Sequence, residues 1–308
     1  MNLLYNIYYW LPNFAKLGYP GKVVNYILLK ILKKSFDFHV PRHLKKTASK
    51  AGMGINTGEP RDRKYIVSLT SFPARIDDIW ISIETILRQS FKPDMIILWL
   101  AEEQFPDKKL PLSLLDLQER GLTIRYCDDI RSHKKYYYTI KEFPEDYVIT
   151  LDDDLYYDKD VLKNVVEMHR KFPDMIATNR AHKMTFDEFG NVKPYRQWKH
   201  NDDSELKPSH RLLQTGGAGT LYFPGCLHSS AFDKELIKEL CFHADDVWLK
   251  MMAYMNGHKV ITNSKYNKDY VTVSSTQNEK LVTQNVFDGG NDRQLKNIIN
   301  HFKINFHE

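Results

Sequence analysis

From residue 65 onward, short apolar runs alternate with polar stretches that carry helical spacing. Residues 65–69 (YIVSL), 95–100 (MIILWL), 122–127 (LTIRYC) and 147–151 (YVITL) are each of strand length and rich in β-branched or aromatic side chains. Between them, Ile79, Trp80, Ile83, Ile86 and Leu87 recur at helical intervals, with Asp77 placed to cap that helix. Residues 112–120 predict a second helix that stops at Gly121, and a third starts at Lys134 and ends before Pro144. Repeated strand–helix units predict a parallel sheet covered on both faces, with ligands at the carboxyl ends of its strands. Three polar clusters fall at those ends: Thr70-Ser71, Asp128-Asp129 and Asp152-Asp153-Asp154.

The second half is less regular. A helix is predicted from after Asp158 to Lys171, followed by a polar region over 180–210 rich in His, Lys and aromatic residues. Next come a glycine-rich approach to a strand (TGGAGTLYFPG), a short helix over 234–240 and a helix opening at Asp245-Asp246. Trp248, Leu249 and Met252 on that helix read as core. Asn285, Asn291 and Asp292 in NVFDGGNDRQ read as a polar turn before a last helix, a loop or a lid. At the other end, residues 1–37 predict two short helices broken at Leu11-Pro12-Asn13 and again at Gly18-Tyr19-Pro20-Gly21, and residues 41–63 predict a linker.

Charge changes this picture at one end only. The chain carries +5 in total, but residues 1–64 carry +9 and the remainder −4. Lys22, Asn25, Lys30 and Lys33 share a stripe, with Val23, Val24, Ile27, Leu28 and Ile31 elsewhere. A basic, apolar helix of this kind either lies in an anionic membrane surface or packs on the body, and both readings stand. No nucleic-acid partner is expected. No stretch reaches the roughly 20 apolar residues that a membrane span needs, and no signal peptide is evident. Hydrophobic residues at 42% and charged ones at 27% exclude a disordered chain. Three scattered cysteines, Cys127, Cys226 and Cys241, form neither a disulfide framework nor a zinc motif, which fits reduced thiols and a cytoplasmic location, with the inner face of the membrane as a peripheral option.

The chemistry is concentrated in acids. Three consecutive carboxylates repel one another unless a cation or water relieves them. As hard oxygen ligands at a strand end they suit Mg²⁺ or Mn²⁺ bridging a ligand's phosphates; the bland alternative is an acidic turn before a helix. At the start of a helix 92 residues beyond Asp154, a carboxylate of Asp245-Asp246 could serve as a general base, or both could simply complement the helix dipole. Lys134, Lys135 and Arg75 are candidate phosphate partners. The glycines at 216, 217 and 219 allow a close backbone approach but lack a dinucleotide or P-loop spacing. Five histidines, His182, His200, His210, His228 and His243, show no helical metal spacing.

Taken together, SLTSFPARI, VITLDDDLYYD, GGAGTLYFPG and ADDVWLK resemble bacterial glycosyltransferases of the GT-A, family-2-like group, which act in surface polysaccharide assembly; the likeness spans residues 64–302. It implies an α/β GT-A fold: a Rossmann-like nucleotide-binding half, a mixed and mostly parallel sheet, and a short helical N-terminal extension. The corresponding division is an extension and linker over 1–62 and a catalytic domain over 63–308. It further implies sugar transfer from a nucleoside-diphosphate sugar to a glycan or lipid-linked glycan, with Mn²⁺ or Mg²⁺ held by Asp152 and Asp154. Donor contacts fall to Thr70, Ser71, Arg75, Lys135, Asp152 and Asp153, and an acceptor-side loop to Gly217, Ala218 and Gly219. Asp246, with Asp245 beside it, takes the place of the base of an inverting enzyme. The group's usual aspartate pair after the second strand is missing, and Glu102 or Glu103 stands there instead. Two other readings fit parts of the pattern: a haloacid-dehalogenase-like phosphatase, and a non-catalytic carbohydrate-binding protein at the membrane.

Overall fold

The computed structural model describes residues 2–11, 14–58, 60–202, 204, 206–277 and 289–306. The chain begins with two helices, α1 (Asn2–Trp10) and α2 (Gly18–Lys46). The body then alternates β1 (Tyr65–Thr70), α3 (Ile79–Leu87), β2 (Met95–Ala101), α4 (Leu112–Leu115), β3 (Leu122–Cys127), α5 (Lys134–Glu142), β4 (Tyr147–Thr150) and α6 (Val161–Lys171). Short strands follow: β5 (Ile176–Thr178), β6 (Ala181–Lys183), β7 (Lys199–His200), β8 (Leu212–Gln214) and β9 (Thr220–Tyr222). The chain continues through α7 (Lys234–Leu240), α8 (Asp245–Met255), β10 (Val260–Ile261) and α9 (Gly290–Phe302).

Seven strands form one mixed, mostly parallel sheet in the order β10-β5-β9-β4-β1-β2-β3. β1 is paired on both sides and lies between two layers, so Ile66, Val67 and Leu69 are all buried, as an unalternating apolar run requires. β9 is the exception in direction, antiparallel to both β4 and β5. This reversal matters for the site. It sets the start of β9 beside the end of β4, with Thr220 opposite Thr150. The polar region over 180–210 contributes β6 and β7, which pair with β8 in a separate three-stranded antiparallel sheet.

Three expectations need correction. The Gly18-Tyr19-Pro20-Gly21 segment is a helix start rather than a break, because Pro20 falls in the first turn, where its missing N–H has no intrahelical partner to lose. From there α2 runs unbroken for 29 residues through Pro41, so the supposed linker begins after Lys46. Phe36, Val40 and Leu44 are buried on one stripe around that proline. Burying each is worth about 1.5–3 kcal/mol, which outweighs the roughly 3 kcal/mol cost of an interior proline. The remaining linker is strapped to the body, with Gly54 N–H donating to the Arg120 carbonyl at 2.8 Å and Arg61 paired to Asp94 at 2.8 Å. Second, Asp77 does not cap α3; Asp78 occupies the cap position and its side chain makes no capping bond. Third, Asn291 and Asp292 belong to the first turn of α9, not to a loop, and Asp292 accepts the Tyr195 N–H at 2.6 Å. Asn285 lies outside the described residues. Gly121 ends its helical stretch as expected, at φ +108°, a left-handed conformation that favours glycine.

Candidate active site

The acidic run follows β4, and its three carboxylates have different surroundings. Asp153 points inward. Ser71 Oγ donates to its Oδ2 and Arg75 Nη1 to its Oδ1, each at 2.5 Å. Burial raises its pKa in spite of Arg75. Arg75 also reaches Asp154 at 3.2 Å. Because Ser71 and Arg75 lie in the turn just past β1, the neighbour of β4, the ends of two adjacent strands are tied by one buried cation. Asp152 differs: its side chain is 40% exposed, at the mouth of the site, and Lys135 Nζ donates to Oδ1 at 2.9 Å.

Lys135 is the hub of the arrangement. It lies on α5, which packs on β1, β2 and β4, and its side chain is only 5% exposed. Its ammonium pairs with Asp152 and, at 2.8 Å, with Asp245 Oδ2 on α8. Burial alone would favour the neutral amine, but Asp152, Asp245 and Asp246 together hold it firmly protonated. Ser132 Oγ donates to the other oxygen of Asp245 at 2.6 Å. Burial would raise Asp245, yet Lys135 and Ser132 outweigh it and keep this carboxyl below its usual range. Asp246 behaves oppositely. Burial, and next the adjacent Asp245 anion, push it up to about 7, against Lys135 and the Gly216 N–H.

The glycine turn joins the two acidic clusters. Gly216 N–H donates to Asp246 Oδ1 at 2.8 Å. A Cβ on Gly217 would lie 1.8 Å from Asp152 Oδ2, so any larger residue would have to displace the Asp152 carboxylate or the turn. Tyr157 Oη accepts the Asp152 N–H at 2.8 Å and donates to the Gly217 carbonyl at 2.6 Å, locking turn to acidic run. Gly219 has φ +98°, and its neighbour Ala218 is buried, with its carbonyl accepting from Asn179 and Tyr270.

Asp152, Asp153, Asp154, Ser71, Arg75, Lys135, Asp245, Asp246 and the glycine turn therefore converge at one end of the sheet. Other candidates are turned elsewhere. The Thr70 hydroxyl donates to the Trp99 carbonyl at 2.8 Å. Lys134 pairs with Asp129, which Gln104 also contacts at 3.1 Å. Glu102 is exposed beside Lys108. His182 and His200 face each other across β6 and β7, their ring centroids 4.3 Å apart. All three cysteines are free and buried. A polar surface hollow lined by Tyr137, Ser229, Ser230, Phe232, Asp233 and Lys234 includes none of the site carboxylates.

Two contributors escaped the sequence reading, Ser132 and Tyr157, while Gly216, expected there only to allow a close backbone approach, donates its N–H to Asp246. Of the two, only Tyr157 had any signal, as a tyrosine three residues after the acidic run, and nothing in the sequence distinguished it from Tyr156. Among the described residues no three His, Cys, Asp or Glu side chains gather as a closed metal cage. The donor set nevertheless fits Mg²⁺ or Mn²⁺ with a diphosphate, since such ions commonly take one or two carboxylates and complete their shell with phosphate oxygens and water. Asp152 and Asp154 could supply those carboxylates, whereas Asp153 is committed to Ser71 and Arg75.

No protein-family profile matches the chain, and no curated protein matches it. Among solved structures it is similar to a mannosyltransferase, PcManGT from Pyrobaculum calidifontis, in complex with GDP-Man and Mn²⁺, at 14% identity and a TM-score of 0.40, over 76% of this chain and 65% of that one. It is also similar to S. aureus TarS 1–349, at 15% identity and a TM-score of 0.44, over 78% of this chain and 72% of that one. The chain thus spans about two thirds of the mannosyltransferase's length, and likenesses this distant leave its chemistry to be argued from its own site.

Proposed function

We propose that this chain is a metal-dependent glycosyltransferase of the GT-A type, with residues 63–308 as its catalytic unit. It transfers a sugar from a nucleoside diphosphate to a hydroxyl of a glycan or lipid-linked glycan, with inversion at the anomeric carbon. The observation that carries this reading is the meeting of two acidic clusters, 92 residues apart in sequence, around Lys135 and the glycine turn. One cluster suits a cation and a diphosphate; the other contains a carboxyl whose pKa lies near 7, where a general base is most effective.

Each residue then has a defined task. Asp152 and Asp154 hold a divalent ion, which when bound offsets the charge of the leaving diphosphate. Arg75 and Ser71 fix Asp153 and with it the strand end that carries the ligating pair. The Gly216 N–H orients Asp246 through Oδ1, so the proton of the attacking hydroxyl goes to Oδ2. Burial, together with the Asp245 anion kept ionised by Lys135, pushes the pKa of Asp246 up to about 7. In-line attack assisted by a base on the acceptor side gives the anomer opposite to that of the donor.

Calorimetry of nucleoside-diphosphate binding in Mn²⁺ and in EDTA tests the donor half. Binding should require the metal and be lost in Asp154→Ala while thermal melting stays near that of the parent. Equal affinity in Mn²⁺ and EDTA would remove the metal assignment, and an aspartyl-phosphate trapped from a phosphate ester would move the protein to the phosphatase reading.

A further inference from the structure

The two faces of α2 have different fates. From Phe36 onward, one stripe of the helix is buried against the body. Between Lys22 and Lys34, however, no side chain is buried, although the segment is mostly apolar. Val23, Val24, Ile27 and Ile31 recur at helical spacing with 40–59% of their surface exposed, and Phe38 continues the stripe. Tyr19 and Tyr26 are exposed too. A contiguous apolar helix face left in water marks an interaction surface.

The charge around this face says what covers it. Lys22, Lys30 and Lys34 are exposed beside the stripe, and residues 1–36 contain no Asp or Glu. In a two-fold pairing of the face with its own copy, these lysines would meet only other cations. An anionic bilayer offers what the face lacks: an apolar interior for the stripe, phosphates for the lysines and an interfacial zone for the tyrosines. No described helix is long and apolar enough to cross a membrane, so the segment would lie along the surface.

The opposite face ties this segment to the acidic run. Phe36 packs on Tyr156, two residues beyond Asp154, with ring centroids 5.5 Å apart. Asp37 accepts from Tyr156 Oη at 2.9 Å and from Ser274 N–H at 3.1 Å, and Lys33 donates to Thr272 Oγ1 at 2.6 Å. Val273 N–H in turn donates to the Asp154 carbonyl at 2.7 Å. Ile31 lies only about 8 Å along the helix axis from Phe36. The exposed stripe and the acidic run therefore belong to one packed unit.

We propose that the face formed by Val23, Val24, Ile27, Ile31 and Phe38, edged by Lys22, Lys30 and Lys34, docks on an anionic phospholipid surface and holds the carboxylate cluster beside it. The proposal goes beyond the transferase reading and is tested without donor or metal. The full chain is sedimented with phosphatidylcholine vesicles and with phosphatidylcholine–phosphatidylglycerol vesicles at low and high salt. The expected result is tighter binding to the anionic vesicles, on the order of tenfold or more, that weakens with salt. Ile27→Glu with Ile31→Glu should abolish binding with thermal melting unchanged, since both side chains are exposed. Lys22→Gln, Lys30→Gln and Lys34→Gln together should remove the preference for anionic lipid. Absent binding, binding indifferent to phosphatidylglycerol, or binding retained by the Ile27/Ile31 variant overturns the proposal. So does a dimer in light scattering that this variant dissociates while neither protein binds vesicles; the face would then join two copies of the chain.

Discussion

Asp245 and Asp246 are neighbours in the first turn of one helix, yet their carboxyls are driven in opposite directions. Lys135 and Ser132 stabilise the anion of Asp245, and that anion, with burial, disfavours a second one at Asp246. If Asp246 is the base, kcat/KM should rise with pH through a midpoint near 7, because the deprotonated form is the active one. Asp246→Asn should remove that limb and lower transfer by about 10²–10⁴-fold, with donor affinity nearly unchanged. Stability should follow the opposite sign. A carboxyl whose folded pKa lies above its unfolded value stabilises the fold at low pH, and this contribution is lost as pH rises through about 7. Relative to Asp246→Asn, the parent should therefore lose stability between about pH 4 and 7 in urea titrations. A parent and variant with parallel stability profiles would mean that Asp246 does not titrate in this window.

At the scale of elements, the site is three segments fastened by Lys135 and the glycine turn. Lys135→Met would leave Asp245 buried without its cation, and breaking a buried pair in this way costs about 3–5 kcal/mol. It would also free the Asp152 side chain and move the activity midpoint away from that of the parent, because both a positive charge acting on Asp246 and the cation that keeps Asp245 ionised are gone. A lower stability with an unshifted pH profile would limit Lys135 to a structural tie. Gly217→Ala makes a separate point. The new methyl cannot coexist with Asp152 Oδ2 at 1.8 Å, so Asp152 must leave Lys135 or the turn must move. The cost should be about 1–3 kcal/mol, with metal-dependent donor binding lost in calorimetry.

Several of these elements were legible in advance. The apolar runs at β1 to β4 and the bounds of β3, α5 and α7 could be read from local pattern, because each is bounded by turn residues or by a change of periodicity. The acidic run and the acidic helix start stood out for the same reason. What joins them did not, since nothing local says that β9 runs antiparallel to β4 and so delivers Gly216 and Gly217 to Asp246 and Asp152. Likewise, Lys134 and Lys135 are indistinguishable in sequence, but their helix turns one toward Asp129 and the other between Asp152 and Asp245.

On the scale of the whole molecule, the N-terminal helices are a wall of the body. Tyr5, Phe36, Val40 and Leu44 form one apolar cluster with Ile81, Tyr156, Val271 and Val273. Half of that cluster therefore belongs to the extension and half to segments next to the site. Deleting residues 1–46 should expose Tyr156, Val271 and Val273 and also release the Asp37 bonds to Tyr156 and Ser274. Each large apolar side chain that loses its burial costs about 1.5–3 kcal/mol, so the denaturant midpoint should fall clearly. Metal-dependent donor binding should weaken with it, because Val273 N–H is bonded to the Asp154 carbonyl and the segment that carries it would lose its backing. The Ile27→Glu and Ile31→Glu pair alters the same helix at side chains that are 49% and 59% exposed, so it should leave both the midpoint and donor binding in place. These two alterations separate the roles of one helix: the first acts on the packed face, the second only on the exposed one. A truncated chain that keeps the parent's midpoint and donor affinity would show that the body holds the acidic run without the extension, and the coupling between the exposed helix face and the site would then be absent.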